Sequence, residues 1–486
     1  MKPIPTHWKS RLLRFPIFKF LILISSISVY AQTPYDIVLK GGRVIDPETG
    51  LDAVRNVGIR AGRIAEISAN ALNGKEVIDV SGNVVSPGFI DLHAHGQTNK
   101  ENEYQAHDGV TTALELESGR PELAQWLESR RDKAMINYGA TVAHAWARAE
   151  ILYRTGDKSI EQGSAKFNYM PLTAEQSKAT LELMDKELKA GALGIGVPIG
   201  YYPGATREEV FDVYEWSAKQ NAMVFSHIRE GKALAVQQAI ADAAANGTAL
   251  HIVHLNSVTR DEIELALRMV TNAQQHGVNV TTELYPYAAS STDIASALFD
   301  EGWRERMGIT YSDLMWVATA ERLNEQTFNQ RRKTGGTIVI FNMKPEWIKK
   351  GIESPVTVIG SDGMPYSKFA HPRSAGTFSR VLGVYVREMK SLSLVDALKK
   401  MTIRPAQRLE PFAPMMRFKG RIQVGADADI TVFDPGTVID KATFEGGLKF
   451  SEGIKHVIVN GTFVVKNGAT LGNVFPGQAV VGKYKN

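Results

Sequence analysis

Two histidines one residue apart, His93 and His95, close a short apolar run, Phe89-Ile90-Asp91-Leu92. Residues i and i+2 of a strand point to the same face. The two imidazoles therefore aim together from the carboxyl end of that strand. Neutral imidazole is a common metal ligand, and two on one face can hold one divalent ion. Alone the motif is weak, because any strand can carry it by chance. Three further polar residues strengthen it: His227 follows Val224-Phe225-Ser226, His254 follows Leu250-His251-Ile252-Val253, and Asp362 follows Val358-Ile359-Gly360-Ser361. Four imidazoles and a carboxylate, each ending an apolar run, suit a zinc-like ion or an ion pair. The chain has no cysteine, which excludes disulfides and thiolate ligands. The chemistry such a set supports is metal-assisted hydrolysis, with the carboxylate beside the ion able to take a proton from water.

These residues meet only if their strand ends share one rim. The middle of the chain alternates apolar strands with helical stretches, and the predicted strands are Phe89–His95, Thr111–Glu117, Ala140–His144, Leu193–Pro198, Met223–Ile228, Leu250–Leu255, Val278–Leu284 and Val356–Ser361. Thr206-Arg207-Glu208-Glu209 reads as a capping box opening one intervening helix, and Glu230 to Ala245 reads as another. Eight strands alternating with helices predict an α/β fold, a TIM-like (β/α)8 barrel over 86–415. The flanks have another texture. Short alternating runs broken by Gly turns, such as Val57-Gly58-Ile59 and Ile64-Ala65-Glu66-Ile67 around Ala61-Gly62, predict hairpins over 32–85. Asn460-Gly461 between Val457-Ile458-Val459 and Phe463-Val464-Val465 predicts another over 416–486. Both ends should build one small β-sandwich domain.

Residues 1–31 read as a signal peptide. Lys2, Lys9, Arg11, Arg14 and Lys19 precede an apolar run, Phe20 to Tyr30, with a cleavage site after Ala31. The expected location is periplasmic or secreted, with no stable membrane anchor after cleavage. The formal charge of +4 less the leader's five basic residues leaves −1. The basic balance thus belongs to the leader and gives no reason to expect nucleic-acid binding. The expected partner is a small-molecule substrate; the oligomeric state stays open.

The ordered segments Gly88-Phe89-Ile90-Asp91-Leu92-His93-Ala94-His95, Gly109-Val110-Thr111-Thr112, Gly191-Ala192-Leu193-Gly194 with Tyr202-Pro203-Gly204, Ser226-His227-Ile228-Arg229-Glu230, Tyr285-Pro286-Tyr287, Gly360-Ser361-Asp362-Gly363, His371-Pro372-Arg373 and Gly425-Ala426-Asp427-Ala428-Asp429 resemble the amidohydrolase superfamily. Within it they are similar to the N-acyl-D-amino-acid deacylases, over about 36–465. The resemblance implies His93, His95, His227 and His254 as ligands of one or two Zn2+ ions, and Asp362 as both ligand and catalytic carboxylate. It implies that Arg373, Tyr287, Ser290 and Ser291, with Tyr202, bind the substrate, the first four at its α-carboxylate. Two departures matter. Relatives place a cysteine ligand at the end of the second strand; here the alignable residue is Ser118, beside Glu115 and Glu117 on one strand face. Glu117, nearer the carboxyl end, is the expected bridging ligand, with Glu115 as fallback and otherwise an ion-pair partner inside the barrel. A lysine that contacts the substrate carboxylate in relatives is Asn256 here, leaving Arg373 as the main cation. His144 is expected to line the pocket without an assigned role, and His251, His276 and His371 to be structural.

The implied activity is hydrolysis of N-acyl-D-amino acids to a carboxylate and a free D-amino acid. The alternatives are a dipeptidase acting on L-Xaa-D-Xaa substrates, a cyclic-amide hydrolase of the hydantoinase or dihydroorotase kind, and a metal-binding protein without catalysis. The absence of a lysine in Leu193–Pro198 argues against the cyclic-amide class, and Asp362 argues against the last.

Overall fold

The computed structural model describes residues 1, 3, 34–157 and 159–485. The leader expected at 1–31 lies outside the described residues save Met1 and Pro3. No helix among the described residues is long and apolar enough to cross a membrane.

Eight parallel strands form the barrel: β1 (Phe89–Asp91), β2 (Val110–Arg120), β3 (Asn137–Ala143), β4 (Ile195–Val197), β5 (Met223–Ser226), β6 (Ala249–Ile252), β7 (Val280–Leu284) and β8 (Thr357–Ile359). They lie in chain order within one sheet. Every strand is buried along most of its length, as near-continuous apolar runs covered by helices must be. The two edges approach just beyond the ladder. The Asp91 carboxylate accepts from the amides of His93 (3.1 Å) and Ser361 (2.9 Å), and the His95 amide donates to the Gly363 carbonyl at 2.8 Å. One buried carboxylate thus pins β1 to β8 and brings the first two candidate ligands beside the last.

Local chemistry explains the helices between the strands. Thr173 and Gln176 form a reciprocal cap at the start of Ala174–Lys189. The cap expected at Thr206 is only half made. Its hydroxyl accepts from the Glu209 amide at 3.0 Å, but the Glu209 carboxylate turns to Arg148 Nε at 2.8 Å. A buried guanidinium outcompetes the weaker return bond to the cap.

The two chain ends join as expected. Val84–Pro87 pairs antiparallel with Ile430–Phe433, completing a nine-stranded sheet that includes strands at 35–79 and 454–470. Ile37, Leu39, Val57 and Ile59 share an apolar cluster with Ile430, Val432 and Ile458. Both predicted turns have left-handed backbone at each central residue, Ala61 and Gly62 at φ 50° and 77°, Asn460 and Gly461 at 47° and 78°. The final stretch leaves this sheet for the barrel, where Tyr138 donates its amide to Gln478 and accepts from Val480.

The sequence reading contains no counterpart to one element. Between β7 and β8 the chain builds a small antiparallel sheet from Ser290–Asp293, Leu314–Trp316, Glu321–Arg322 and Thr337–Ile340. It has its own apolar cluster around Phe299, Trp303, Leu314, Phe328 and Ile338. This insertion stands on the face where the strands end.

Candidate metal centre and substrate cleft

The strand ends bring His93, His95, Glu117, His227, His254 and Asp362 together. Glu117 lies at the middle. Its Oε2 is 3.2 Å from His95 Nε2 and 3.4 Å from His93 Nε2. Its Oε1 is 2.9 Å from His227 Nδ1 and 3.1 Å from His254 Nε2. One carboxylate therefore faces two pairs of imidazoles, one with each oxygen. Asp362 Oδ1 lies 3.5 Å from His93 Nε2 and 3.4 Å from His95 Nε2. Glu115 is set back from this cluster, its Oε2 3.0 Å from His95 Nδ1. Ser118 Oγ merely approaches Glu117 Oε2 at 3.4 Å.

The donor set fits a metal ion. His93 and His95 each engage a carboxylate through Nδ1, so in neutral rings Nδ1 carries the proton and Nε2 a lone pair. Those two Nε2 atoms are 3.2 Å apart. Two lone pairs at that distance inside a buried site can converge on one bound cation. The described residues supply three ligand triads: His93-His254-Asp362, His93-His95-Glu117 and Glu117-His227-His254.

Electrostatics agree with this. Burial disfavours charge on Glu117, but His93 and hydrogen bonds from His227 and His254 hold its pKa well below the usual carboxylate range. Burial likewise opposes charge on Asp362, yet Arg373, whose Nη2 lies 2.9 Å from Oδ1, and His93 keep it ionised far into acid. For His93, burial favours the neutral ring, but Asp362, Glu283 and Glu117 together raise its pKa well above that of free imidazole. Ligands must shed protons to bind metal. Falling pH is thus expected to release the ion, by about one decade in affinity per pH unit for each imidazole that must be deprotonated. Zinc titration against a competing chelator across about pH 8 to 6 checks this; an affinity flat over that range contradicts it.

The backbone is strained where the set closes. His254 and Asp362 adopt left-handed conformations, φ 33° and 53°. Such non-glycine positions cost about 1–3 kcal/mol each and cluster where function requires a particular side-chain direction. His227 presents Nδ1 to Glu117, and its opposite edge lies against Gly200, where an added Cβ would come within 2.8 Å of Nε2.

A cleft opens from the centre. His227, His254 and Asp362 line it, with Ser290, Ser291, Thr292, Ile340 and Asn342 from the insertion forming one wall. Ser290 Oγ is 3.1 Å from Asn342 Oδ1, and Ser291 Oγ donates to the Ile338 carbonyl. Arg373 is not among the lining residues; it is buried behind two of them, Asp362 and Ser291, with its guanidinium 4.5 Å from the centre of the Tyr285 ring. Its Nη2 also reaches the Ser291 carbonyl at 3.3 Å, while Nε and Nη1 have no hydrogen-bond partner among the described residues.

Two expected substrate contacts are placed elsewhere. Tyr202 is buried with its hydroxyl 2.8 Å from His144 Nδ1, outside the cleft lining. Its neighbour Tyr201 lines the cleft instead, its ring centroid 4.5 Å from that of His227. Tyr287 donates to Asp440 Oδ2 at 3.1 Å and stacks edge-on against His371, so its hydroxyl serves the junction with the C-terminal segment. Asn256 is fully buried, its amide directed at the Tyr285 carbonyl. His276 bonds its own helix at Asn272, and His371 bonds the Ala289 carbonyl. The sequence reading passed over Glu283, Tyr201, Arg260 and Asn342. A lone acid in the buried strand Val280–Leu284 was the available signal for Glu283. Arg260, 3.7 Å from Glu230 at the cleft wall, had none.

Residues 84–464 match the Amidohydrolase family, and the chain belongs to that family. Among curated relatives it is 31% identical to an N-acyl-D-glutamate deacylase of Alcaligenes xylosoxydans xylosoxydans, over 89% of this chain and 94% of the relative. It is 28% identical to a D-aminoacylase of the same organism, over 90% and 96%. The crystal structure of N-acyl-D-glutamate deacylase from Bordetella bronchiseptica, complexed with zinc and a phosphonate mimic of the tetrahedral intermediate, superposes with a TM-score of 0.80. That match has 27% identity and covers 92% of this chain and all of the other. Within the family the chain stands in the N-acyl-D-amino-acid deacylase branch.

Proposed function

We propose that this protein is an exported, zinc-dependent deacylase of N-acyl-D-amino acids. The observation that carries the reading is the sharing of Glu117 between two imidazole pairs, with Asp362 opposite and the Arg373 guanidinium behind it. When bound, zinc would lower the pKa of water and polarise the scissile carbonyl. Asp362 is held ionised and accepts the proton from water, then passes it to the departing amine nitrogen. The zinc deacylase of Bordetella bronchiseptica with its tetrahedral mimic supports this assignment of metal and reaction. Export rests on the basic leader and apolar run at the amino terminus, and fractionation of the native host tests it.

The substrate's α-carboxylate is assigned to Arg373, whose unpartnered Nε and Nη1 are donors that an anion would satisfy. Ser290 and Ser291 stand on the adjacent wall. Arg373→Met is expected to lower kcat/KM for N-acetyl-D-amino acids by about 30-fold or more, the loss for truncating one partner of a buried charge pair. The same variant should lose less on the corresponding amide, which lacks the carboxylate; the loss common to both substrates reports the missing ion pair with Asp362. Equal losses on both substrates would remove Arg373 from carboxylate binding. The function itself is tested by assaying metal-loaded protein on paired D and L N-acyl amino acids and L-Xaa-D-Xaa dipeptides. Turnover confined to L-compounds or cyclic amides would overturn it.

A further inference from the structure

The loop that leaves β6 begins and ends in strained backbone. His254 has φ 33°, and Arg260 at the far end has φ 51°. Between them lies the single helical turn Leu255–Thr259. Ser257 and Val258 of that turn line the cleft, and so does Arg260. A non-glycine residue keeps such a conformation only where its surroundings hold it, and these positions cluster at ligand clamps. The next two residues do the holding. Asp261 takes Lys232 Nζ at 2.6 Å, and Glu262 accepts from the Ala233 amide at 3.0 Å, where the helix Ala233–Asn246 starts. Both acids that follow Arg260 in the chain are thus committed to the frame of the loop.

Arg260 itself is 6% exposed, and its Nε is buried without a hydrogen-bond partner among the described residues. Among those residues its ion pair is to Glu230 Oε2, 3.7 Å from Nη2, which is beyond hydrogen-bond distance. A buried guanidinium so poorly matched pays for its desolvation until an anion meets it. Around it the cleft is apolar, with Val258, Leu298, Met307 and Ile340 in its lining. Arg260, Met307 and Asn342 also line a second cavity, so they form a wall common to both spaces. That leaves room beside the guanidinium for a substituent reaching past Met307. The cleft is therefore served by two cations in different places: Arg373 behind Asp362 and Ser291, and Arg260 on the wall beyond His254.

We infer that Arg260 is a specificity-determining residue that reads a second carboxylate on the substrate, carried on a short aliphatic stem. The stem packs along Val258, Leu298 and Met307, and the carboxylate forks onto the guanidinium in place of the distant Glu230. The inference rests on the deacylase reading above and names the substrates within it as diacids. The second carboxylate comes from the side chain of the D-residue or from the acyl group. The test is kcat/KM of the metal-loaded full-length protein on two matched pairs, with zinc content measured on the same samples. One pair is N-acetyl-D-glutamate against N-acetyl-D-glutamine; the other is N-succinyl-D-leucine against N-butanoyl-D-leucine. In one pair the parent favours the acid by about 30-fold or more, and that pair identifies which part of the substrate bears the charge. Arg260→Met lowers kcat/KM for that acid by about 30-fold or more and leaves its neutral mate within about threefold. Glu230→Gln removes the competing anion, raises kcat/KM for the acid by up to about fivefold, and serves if the methionine variant folds poorly. The inference is overturned by a parent that prefers the neutral member of both pairs or shows no preference. Equal losses on acid and neutral substrates in Arg260→Met overturn it too, as does the absence of any gain where Glu230→Gln stands in. A zinc-replete parent that hydrolyses none of the four compounds would instead remove the deacylase reading, and the inference with it.

Discussion

Asp362→Asn is expected to leave zinc bound while turnover falls by about 10^2–10^4-fold, the range for losing a proton-transfer group. Asparagine fits the same space but cannot take a proton from water. The magnitude follows from the position of Asp362, whose Oδ1 lies within 3.5 Å of both paired imidazoles and 2.9 Å from Arg373. A second effect accompanies the first. The substitution strips a fully buried guanidinium of its counter-charge, leaving the Ser291 carbonyl as its remaining hydrogen-bond partner. Breaking such a pair costs about 3–5 kcal/mol, so a lower melting temperature is expected as well. Steady-state kinetics with zinc content measured on the same samples decides the matter. Turnover near the parent value in a zinc-replete variant would remove Asp362 from proton transfer, whatever its effect on stability.

The second large effect is expected at Glu117. Glu117→Ala removes the oxygen facing His93 and His95 together with the oxygen facing His227 and His254. Affinity should fall by more than about 100-fold, beyond the range for residues that only orient a ligand. Glu115→Ala deletes the support behind His95, a hydrogen bond from the Ser118 amide at 3.2 Å and the weaker approach of Arg120 at 3.8 Å, so a loss within about 10–100-fold is expected. Metal analysis of the two purified variants after dialysis separates them. The reverse order would make Glu115 the bridging ligand.

Much of this centre was legible because strand chemistry is regular. Side chains alternate and apolar runs end where polar groups begin, so His93, His95, Glu117, His227, His254 and Asp362 could each be assigned to a strand end. The choice between Glu115 and Glu117 followed from which stands nearer the carboxyl end of β2. Regularity fails elsewhere. Tyr201 closes a single tight helical turn, Ile199–Tyr201, and Tyr202 caps it, where no period of two applies. Which ring would face the cleft could not be read from their order. The insertion between β7 and β8 was missed because its strands are two to four residues long, too short for alternation to register. The apparent cap at Thr206 misled for a third reason. Its glutamate is claimed by Arg148, a partner 61 residues away that local sequence cannot reveal.

The pairing of Val84–Pro87 with Ile430–Phe433 bears on how the molecule comes into being. The segment that leads directly into His93 waits for a neighbour more than three hundred residues downstream. During synthesis that flank stays open until residue 433 of 486 has emerged. A nascent chain cut short before Ile430 would carry all six candidate ligands beside an unsealed β edge, an invitation to intermolecular pairing. Early stop codons should therefore yield aggregates rather than weakened catalysts, and the slow assembly expected of such distant contacts makes completion of this seam a late event in folding.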